Sequence, residues 1–211
     1  MSAERSAERR AGPVAGIVLA AGASRRMEGL PKLLLPFGES TVVGSAVDAA
    51  ARAGLRPLIA VLGHRAAEVR EALAGSAASC VENPDYRAGQ GSSVAVGARA
   101  VRATAGGGEG VALLLGDEPG MRPAAIRAVV AEWKVSGARA ARALYRDRPG
   151  HPVVFRRDLW QDLAELEGEG GAAGLLAILG AEVRDVRLEE PAPIDVDTPA
   201  DYERAVARWR G

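Results

Sequence analysis

Three features of this 211-residue sequence predict an α/β protein with a mostly parallel sheet. Continuous apolar runs at positions 14–20 and 111–115 read as strands buried on both faces, because half-exposed strands would alternate instead. Stretches with apolar residues at helical spacing separate the strand-like runs as far as residue 134, the pattern of a parallel sheet with helices on both faces. After residue 138 two strand-like runs follow one another directly, so the second half of the sheet is expected to be partly antiparallel.

Taken in order, residues 1–12 mix Glu, Arg, Ser and Ala without periodicity and are expected to be a mobile tail. The remaining residues, 13–211, are expected to form a single domain, since no linker long enough to divide them is present. The strand at 14–20 runs into a glycine-containing loop, and 33–37 reads as a brief strand after Lys32. Ser40 or Thr41 can cap a helix whose apolar face is Val43, Val47 and Ala50 and which Gly54 stops. A second strand at 55–62, a helix at 66–73 and a third strand near 78–81 follow. Asn83-Pro84 signals a turn, Ser92 and Ser93 stand where a helix begins, and 106–110 is a flexible connection. The strand at 111–115 leads to a helix at 123–134 with Ile126, Val129, Val130 and Trp133 on one face. Strands at 138–145 and 150–155, helices at 158–167 and 172–179, a strand at 183–188 and a terminal helix with Tyr202, Ala205, Val206 and Trp209 complete the chain.

Composition narrows the function. Lys plus Arg and Asp plus Glu each number 27, so a zero formal charge gives no footprint of a general nucleic-acid or membrane-surface binder. No apolar run approaches the ~20 residues of a membrane span, and the charged start is unlike a signal peptide. With the single cysteine, Cys80, neither an internal disulfide nor a cysteine-cluster metal site is possible, and a reduced, cytoplasmic location is the default. Cys80 itself reads as a small buried side chain. Two histidines, His64 and His151, make a zinc site improbable.

The chemistry concentrates in the loop after the first strand. Leu19-Ala20-Ala21-Gly22-Ala23-Ser24-Arg25-Arg26 and then Lys32 combine small residues, which let amides approach a ligand, with three cations. That is a place for a polyanion, most simply a triphosphate. The spacing fits neither G-x-x-x-x-G-K-[ST] nor G-x-G-x-x-G. Asp117 ends a buried strand, where ligands of open α/β sheets sit, and could hold Mg²⁺ through oxygen, or merely cap a turn. Asp195 and Asp197, two residues apart, face one way in an extended segment and could complete that site. Thr198, Pro199 and Asp201 fit helix-capping positions, which leaves the two preceding aspartates to be explained.

As it stands, L-A-A-G-x-S-x-R-M followed by P-K closely resembles the signature of the MobA-like nucleotidyltransferases, and within them looks most like the molybdenum cofactor cytidylyltransferases. The resemblance spans about residues 14–209. It implies a three-layer α/β/α Rossmann-like nucleotidyltransferase fold with a mostly parallel mixed sheet, and transfer of CMP from CTP to the terminal phosphate of the molybdenum cofactor. Arg26, Lys32 and Asp117 are then the catalytic residues. The nucleotide contacts are Leu19, Ala20, Ala21, Gly22, Ser24, Arg25, Arg26, Lys32, Gly63, Gly91, Ser92 and Ser93. Gly150-His151-Pro152 resembles the family's acceptor-side G-H-P-V-x-F, and G-D-x-P and D-x-D-T-P assign the Mg²⁺ to Asp117, then Asp197 and Asp195. His64 reads as a loop residue. Ala20-Ala21 resembles the cytidylyl branch, a methyl at Ala21 leaving less room for a purine; GTP is the alternative donor.

Three positions depart from the family's pattern: Glu118 where glutamine or methionine is frequent, Ala173 in place of an arginine, and Pro149 before Gly150. They leave open another phosphorylated acceptor, such as a sugar or polyol phosphate. A non-catalytic nucleotide-binding protein is the reading from another class, and a dinucleotide-dependent oxidoreductase, without the glycine fingerprint, is a poor third.

Overall fold

The structure, a computed structural model, describes residues 12–104 and 108–210. Residues 1–11 of the expected tail and 106–107 of the expected connection lie outside the described residues. Seven strands form one sheet: β1 (Val14–Ala20), β4 (Leu58–Leu62), β5 (Ser79–Glu82), β6 (Gly110–Leu115), β7 (Ala140–Leu144), β8 (Pro149–Arg156) and β9 (Val183–Arg187), in the order β5-β4-β1-β6-β8-β7-β9. β2 (Pro36–Phe37) and β3 (Ser40–Thr41) make a separate two-stranded ribbon. In the large sheet only β8 runs against the others. The antiparallel character expected of the second half is therefore one reversed strand.

All seven residues of β1 are buried, and they serve two cores. Val14, Val18 and Ala20 face one, with α1 (Val42–Arg52), α2 (Ala66–Ala72) and α4 (Pro123–Ser136) packed over it. Ala15, Ile17 and Leu19 face the other, under α3 (Gln90–Ala103), α5 (Trp160–Ala164) and α6 (Ala173–Leu179). α7 (Pro199–Arg210) joins the first layer through Ala205. A strand sandwiched this way must be apolar throughout, which is why its sequence does not alternate.

Several boundaries move for identifiable reasons. Pro57 brings no N–H to a ladder, and the second strand starts at Leu58. The brief strand expected at 33–37 is mostly not one: the Leu34 N–H donates to the Pro31 carbonyl, Lys32–Leu34 form a 3₁₀ turn, and only Pro36–Phe37 pair. The helix expected at 158–167 shortens to a 3₁₀ turn, Arg157–Leu159, and α5. Cys80 lies on the edge strand β5 and is half-buried. Thr41 caps α1, accepting from the Gly44 N–H at 3.1 Å. Among the described residues no helix is long and apolar enough to cross a membrane.

β1 leads outward to β4 and β5 on one side, and β6 lies on its other side. The strand order thus reverses between β1 and β6, and their carboxyl ends open the crevice where ligands of such sheets bind.

Candidate functional site

Backbone hydrogen bonds carry the sheet's order past its last residues. The Gly116 N–H donates to the Leu19 carbonyl, the His64 N–H to the Ala21 carbonyl, and the Val196 N–H to the Asp117 carbonyl. Four segments far apart in sequence are thereby laced together. The loop after β1 folds back through a turn in which the Met27 N–H donates to the Ser24 carbonyl, with Ser24 at φ 51°. Met27, fully buried, anchors the loop in the core while Arg25 and Arg26 stay outside.

Lys32 stands at the centre. It is 6% exposed, and its Nζ donates to Asp117 Oδ2 at 2.5 Å and to Asp197 Oδ1 at 3.2 Å. Arg26 reaches Asp197 Oδ2 at 2.8 Å from the solvent side. Burial drags the Lys32 ammonium toward neutrality, but the carboxylates of Asp117 and Asp197 outweigh it and hold the group above its ordinary value. The early loop and two distant aspartates therefore meet at one point.

Around this point opens a cleft. Leu19, Ala21, Gly22, Ser24, Arg25, Arg26 and Lys32 line it, as do Ser93, Asp117 and Asp197. Other predicted nucleotide contacts sit differently. Ala20 is buried in the core beneath α1. Gly63 is packed against Ala21 and Tyr86, where a Cβ would come within 2.8 Å of either. Gly91 lies under residue 167, whose carbonyl oxygen would be 2.5 Å from a Cβ. Ser92 is spent on structure: it donates to the carbonyls of Asp85 and Gly89 and accepts from Asn83 Nδ2 at 2.9 Å. The same Asn83 amide donates to Ser93 at 3.0 Å, so this buried asparagine positions the start of α3. Nothing in the sequence beyond the turn signal of Asn83-Pro84 announced that role.

Asp195 does not join the lysine. Its carboxylate accepts from Arg148 at 2.9 Å and lies beside Glu118, and burial, then the Glu118 carboxylate, push its pKa up to about 6. Residues 191–197 form no strand, and the Asp195 and Asp197 carboxylates take different partners. Glu118 is 1% exposed, its Oε2 has no hydrogen-bond partner, and His151 Nδ1 stands 3.6 Å away. Tyr145 donates to the His151 carbonyl, and Gly150 packs on the Tyr145 ring. His151 therefore flanks the Asp117–Glu118 turn, and Gly150, His151 and Pro152 are not among the residues lining the cleft. Thr198 and Asp201 cap α7 reciprocally.

The donor set suits a hard divalent cation. No cluster of three or more His, Cys, Asp or Glu side chains that could hold a metal exists among the described residues. Two carboxylates that share one ammonium can nevertheless hold an ion whose remaining ligands are phosphate and water oxygens, the usual way Mg²⁺ is bound.

A family model, the MobA-like NTP transferase domain, matches residues 16–186. The crystal structure of a Mycobacterium tuberculosis Rv0371c homolog from Mycobacterium sp. strain JC1 superposes with a TM-score of 0.79 at 37% identity, over 93% of this chain and 96% of that one. Rv0371C of M. tuberculosis H37Rv, solved as a complex with manganese, superposes with a TM-score of 0.76 at 34% identity, over 92% and 98%. In sequence, the chain is 34% identical over 128 residues to the bifunctional protein GlmU of Geobacter metallireducens, covering 60% of this chain and 26% of that protein. It thus spans about a quarter of that relative's length. It is 28% identical over 165 residues to the nicotine blue oxidoreductase of Paenarthrobacter nicotinovorans, covering 75% and 79%.

Proposed function

This chain belongs to the MobA-like NTP transferase family, and from that premise we propose that it transfers the CMP group of CTP to the terminal phosphate of the molybdenum cofactor, releasing pyrophosphate. The observation that carries the reading is Lys32, buried and shared between Asp117 and Asp197 beneath a cation-rimmed cleft.

In this reaction an oxygen of the acceptor phosphate bonds to the α-phosphorus as the bond to the β-phosphate breaks. No protein nucleophile is needed; holding the reactants in line and offsetting their charge does most of the work. Lys32 and Arg26 neutralise the triphosphate, Arg25 assists from the same loop, and the small residues at 20–23 let the backbone approach the nucleotide. Asp117 and Asp197 would hold Mg²⁺ or Mn²⁺, and such an ion, when bound, reduces the repulsion between the two anionic reactants. The manganese complex of Rv0371C supports a divalent ion in this family. Asp195, turned to Arg148, is left out of the ion's ligands, and Gly150, His151 and Pro152 are assigned to the acceptor's side.

A second acceptor has support. Ala173 and Pro149 stand where the molybdenum cofactor enzymes' pattern has arginines, which favours a smaller phosphorylated acceptor such as a sugar or polyol phosphate. The nicotine blue oxidoreductase relative raises a redox reading, but the loop after β1 lacks the glycine spacing of a dinucleotide site. A matrix of CTP, GTP, UTP and ATP against molybdenum cofactor and sugar phosphates, read as pyrophosphate released with Mg²⁺ or Mn²⁺, tests the assignment. Release with CTP and the molybdenum cofactor is expected. No release with any pair would refute nucleotidyl transfer, and preference for GTP would refute the cytidylyl reading.

A further inference from the structure

The cleft is lined by two chemically different sets of residues. Lys32, Arg26, Asp117 and Asp197 are joined by ion pairs; Tyr86, Arg87, Gln90 and Glu169 line it as well and take no part in that cluster. A triphosphate seated on the cations leaves its base for the second set. We propose that Glu169 reads the nucleobase: its carboxylate accepts a hydrogen bond from an exocyclic amino group, so the site takes amino-bearing bases such as cytosine and rejects uracil. This inference rests on the nucleotidyl-transfer reading and names a determinant of its donor.

Two observations carry it. The backbone that carries Glu169 is held in place although it lies on a loop. The Gly91 N–H donates to the Gly168 carbonyl at 2.8 Å, and Gly89, at φ 111°, lies so close that a Cβ would stand 2.3 Å from that carbonyl. The Gln90 side chain covers Gly171 on the same loop. Residues 167–171 are thus fastened to the first turn of α3.

The second observation is that the carboxylate is unspent. Among the described residues Glu169 makes no hydrogen bond or ion pair, while Arg87 beside it stacks over the Tyr86 ring at 5.5 Å. An ionised carboxylate can only accept. An amino group satisfies it, whereas a carbonyl at the same place sets two acceptors against each other, and such mismatches discriminate strongly. Residues 167–174 include no lysine or arginine, so no cation on that segment cancels the charge.

The test measures binding by calorimetry without acceptor, using the full chain, its Glu169→Gln and Glu169→Ala variants, and CTP, UTP, ATP and GTP. The exposed site should leave the melting temperatures of both variants unchanged. Wild type should bind CTP about tenfold more tightly than UTP, the worth of one charge-assisted hydrogen bond. Glu169→Gln, whose amide can also donate, should bring that ratio toward one, and Glu169→Ala should weaken CTP but not UTP. Equal binding of CTP and UTP by wild type, or a preference that survives in both variants, overturns the proposal. Lys32→Met separates the two readings: it should weaken all four nucleotides alike. If that loss is seen while the Glu169 variants change nothing, only the base reading falls; if no nucleotide binds to wild type, both fall.

Discussion

Replacing Lys32 with methionine keeps the aliphatic stem and removes only the charge. Two carboxylates then lose partners at 2.5 and 3.2 Å and are left facing each other. Breaking a fully buried ion pair by removing one partner costs about 3–5 kcal/mol. Here water and a neighbour take up part of that cost: the Asp117 and Asp197 side chains are 23% and 34% exposed, and Arg26 stays 2.8 Å from Asp197. A loss of about 2–3 kcal/mol is therefore expected, or a fall in melting temperature of about 5–10 °C for a chain of this length. Turnover should fall about a hundredfold or more, the scale for removing one preorganised charge from a developing anion. Mn²⁺ or Mg²⁺ supplies the missing positive charge, so adding either should recover more of the variant's melting temperature than it adds to wild type. Calorimetric melting with and without metal, followed by pyrophosphate release, reads all three effects. Unchanged melting and unchanged turnover would refute the shared-ammonium account; a thermal loss indifferent to metal would refute the ion site.

Two further perturbations probe the surroundings. Glu118→Gln removes the buried like charge beside Asp195, whose carboxyl is raised from 3.8 to about 6 by burial and by Glu118. With the folded value above the unfolded one, the stability this group contributes is full below about pH 3.8 and is lost as pH rises to about 6. Because the Asp195 side chain is 39% exposed, the loss is discounted for screening to about 1 kcal/mol. The variant's melting temperature should exceed that of wild type by about 2–4 °C at neutral pH and by less near pH 4; parallel pH curves would sink the idea. Gly89→Ala puts a Cβ at φ 111° and 2.3 Å from the Gly168 carbonyl. The backbone strain alone is worth about 1–3 kcal/mol, so melting should fall and nucleotide affinity with it. An alanine variant that melts and binds like wild type would show that residues 167–171 are not fastened to α3.

What could be read from the sequence follows from how local each signal is. β1 and β6 were legible because burial on both faces leaves seven and six residues with no polar position to spare. Thr41 and Thr198 were legible as caps because a hydroxyl finds an N–H within three residues, whatever the rest of the fold does. Lys32, Asp117 and Asp197 were named from the signature and the strand end, but their meeting was not derivable, since it depends on Val196 donating across to Asp117. Other surroundings could not be read for a common reason. Ser92 and Gly91 look like ligand residues in sequence, yet their partners are Asn83 and residue 167, which only the crossing of β5, α3 and the loop after α5 brings near. Asp195 was placed beside Asp197 by the parity of an extended segment, and its partner Arg148 comes from a distant turn.

The contrast between the two acidic regions shows what the fold does with charge. Asp117 and Asp197 share an ammonium and stay open to the cleft, so their charge is available to an incoming cation. One residue after Asp117 and two before Asp197, Glu118 and Asp195 are crowded together, answered among the described residues by Arg148 at 3.9 and 2.9 Å and by His151. Two carboxylates held so close cannot both be ionised without penalty. A glutamine or methionine at position 118, frequent in the resembling family, would carry no such penalty. Retaining glutamate fixes Arg148 and His151 beside the turn that bears Asp117, and places the strain of buried charge directly behind the proposed ion site. A variant that relieves that strain should therefore gain stability and lose alignment at Asp117. Glu118→Gln should melt higher yet turn over more slowly, a pairing that a merely misfolded protein would not produce.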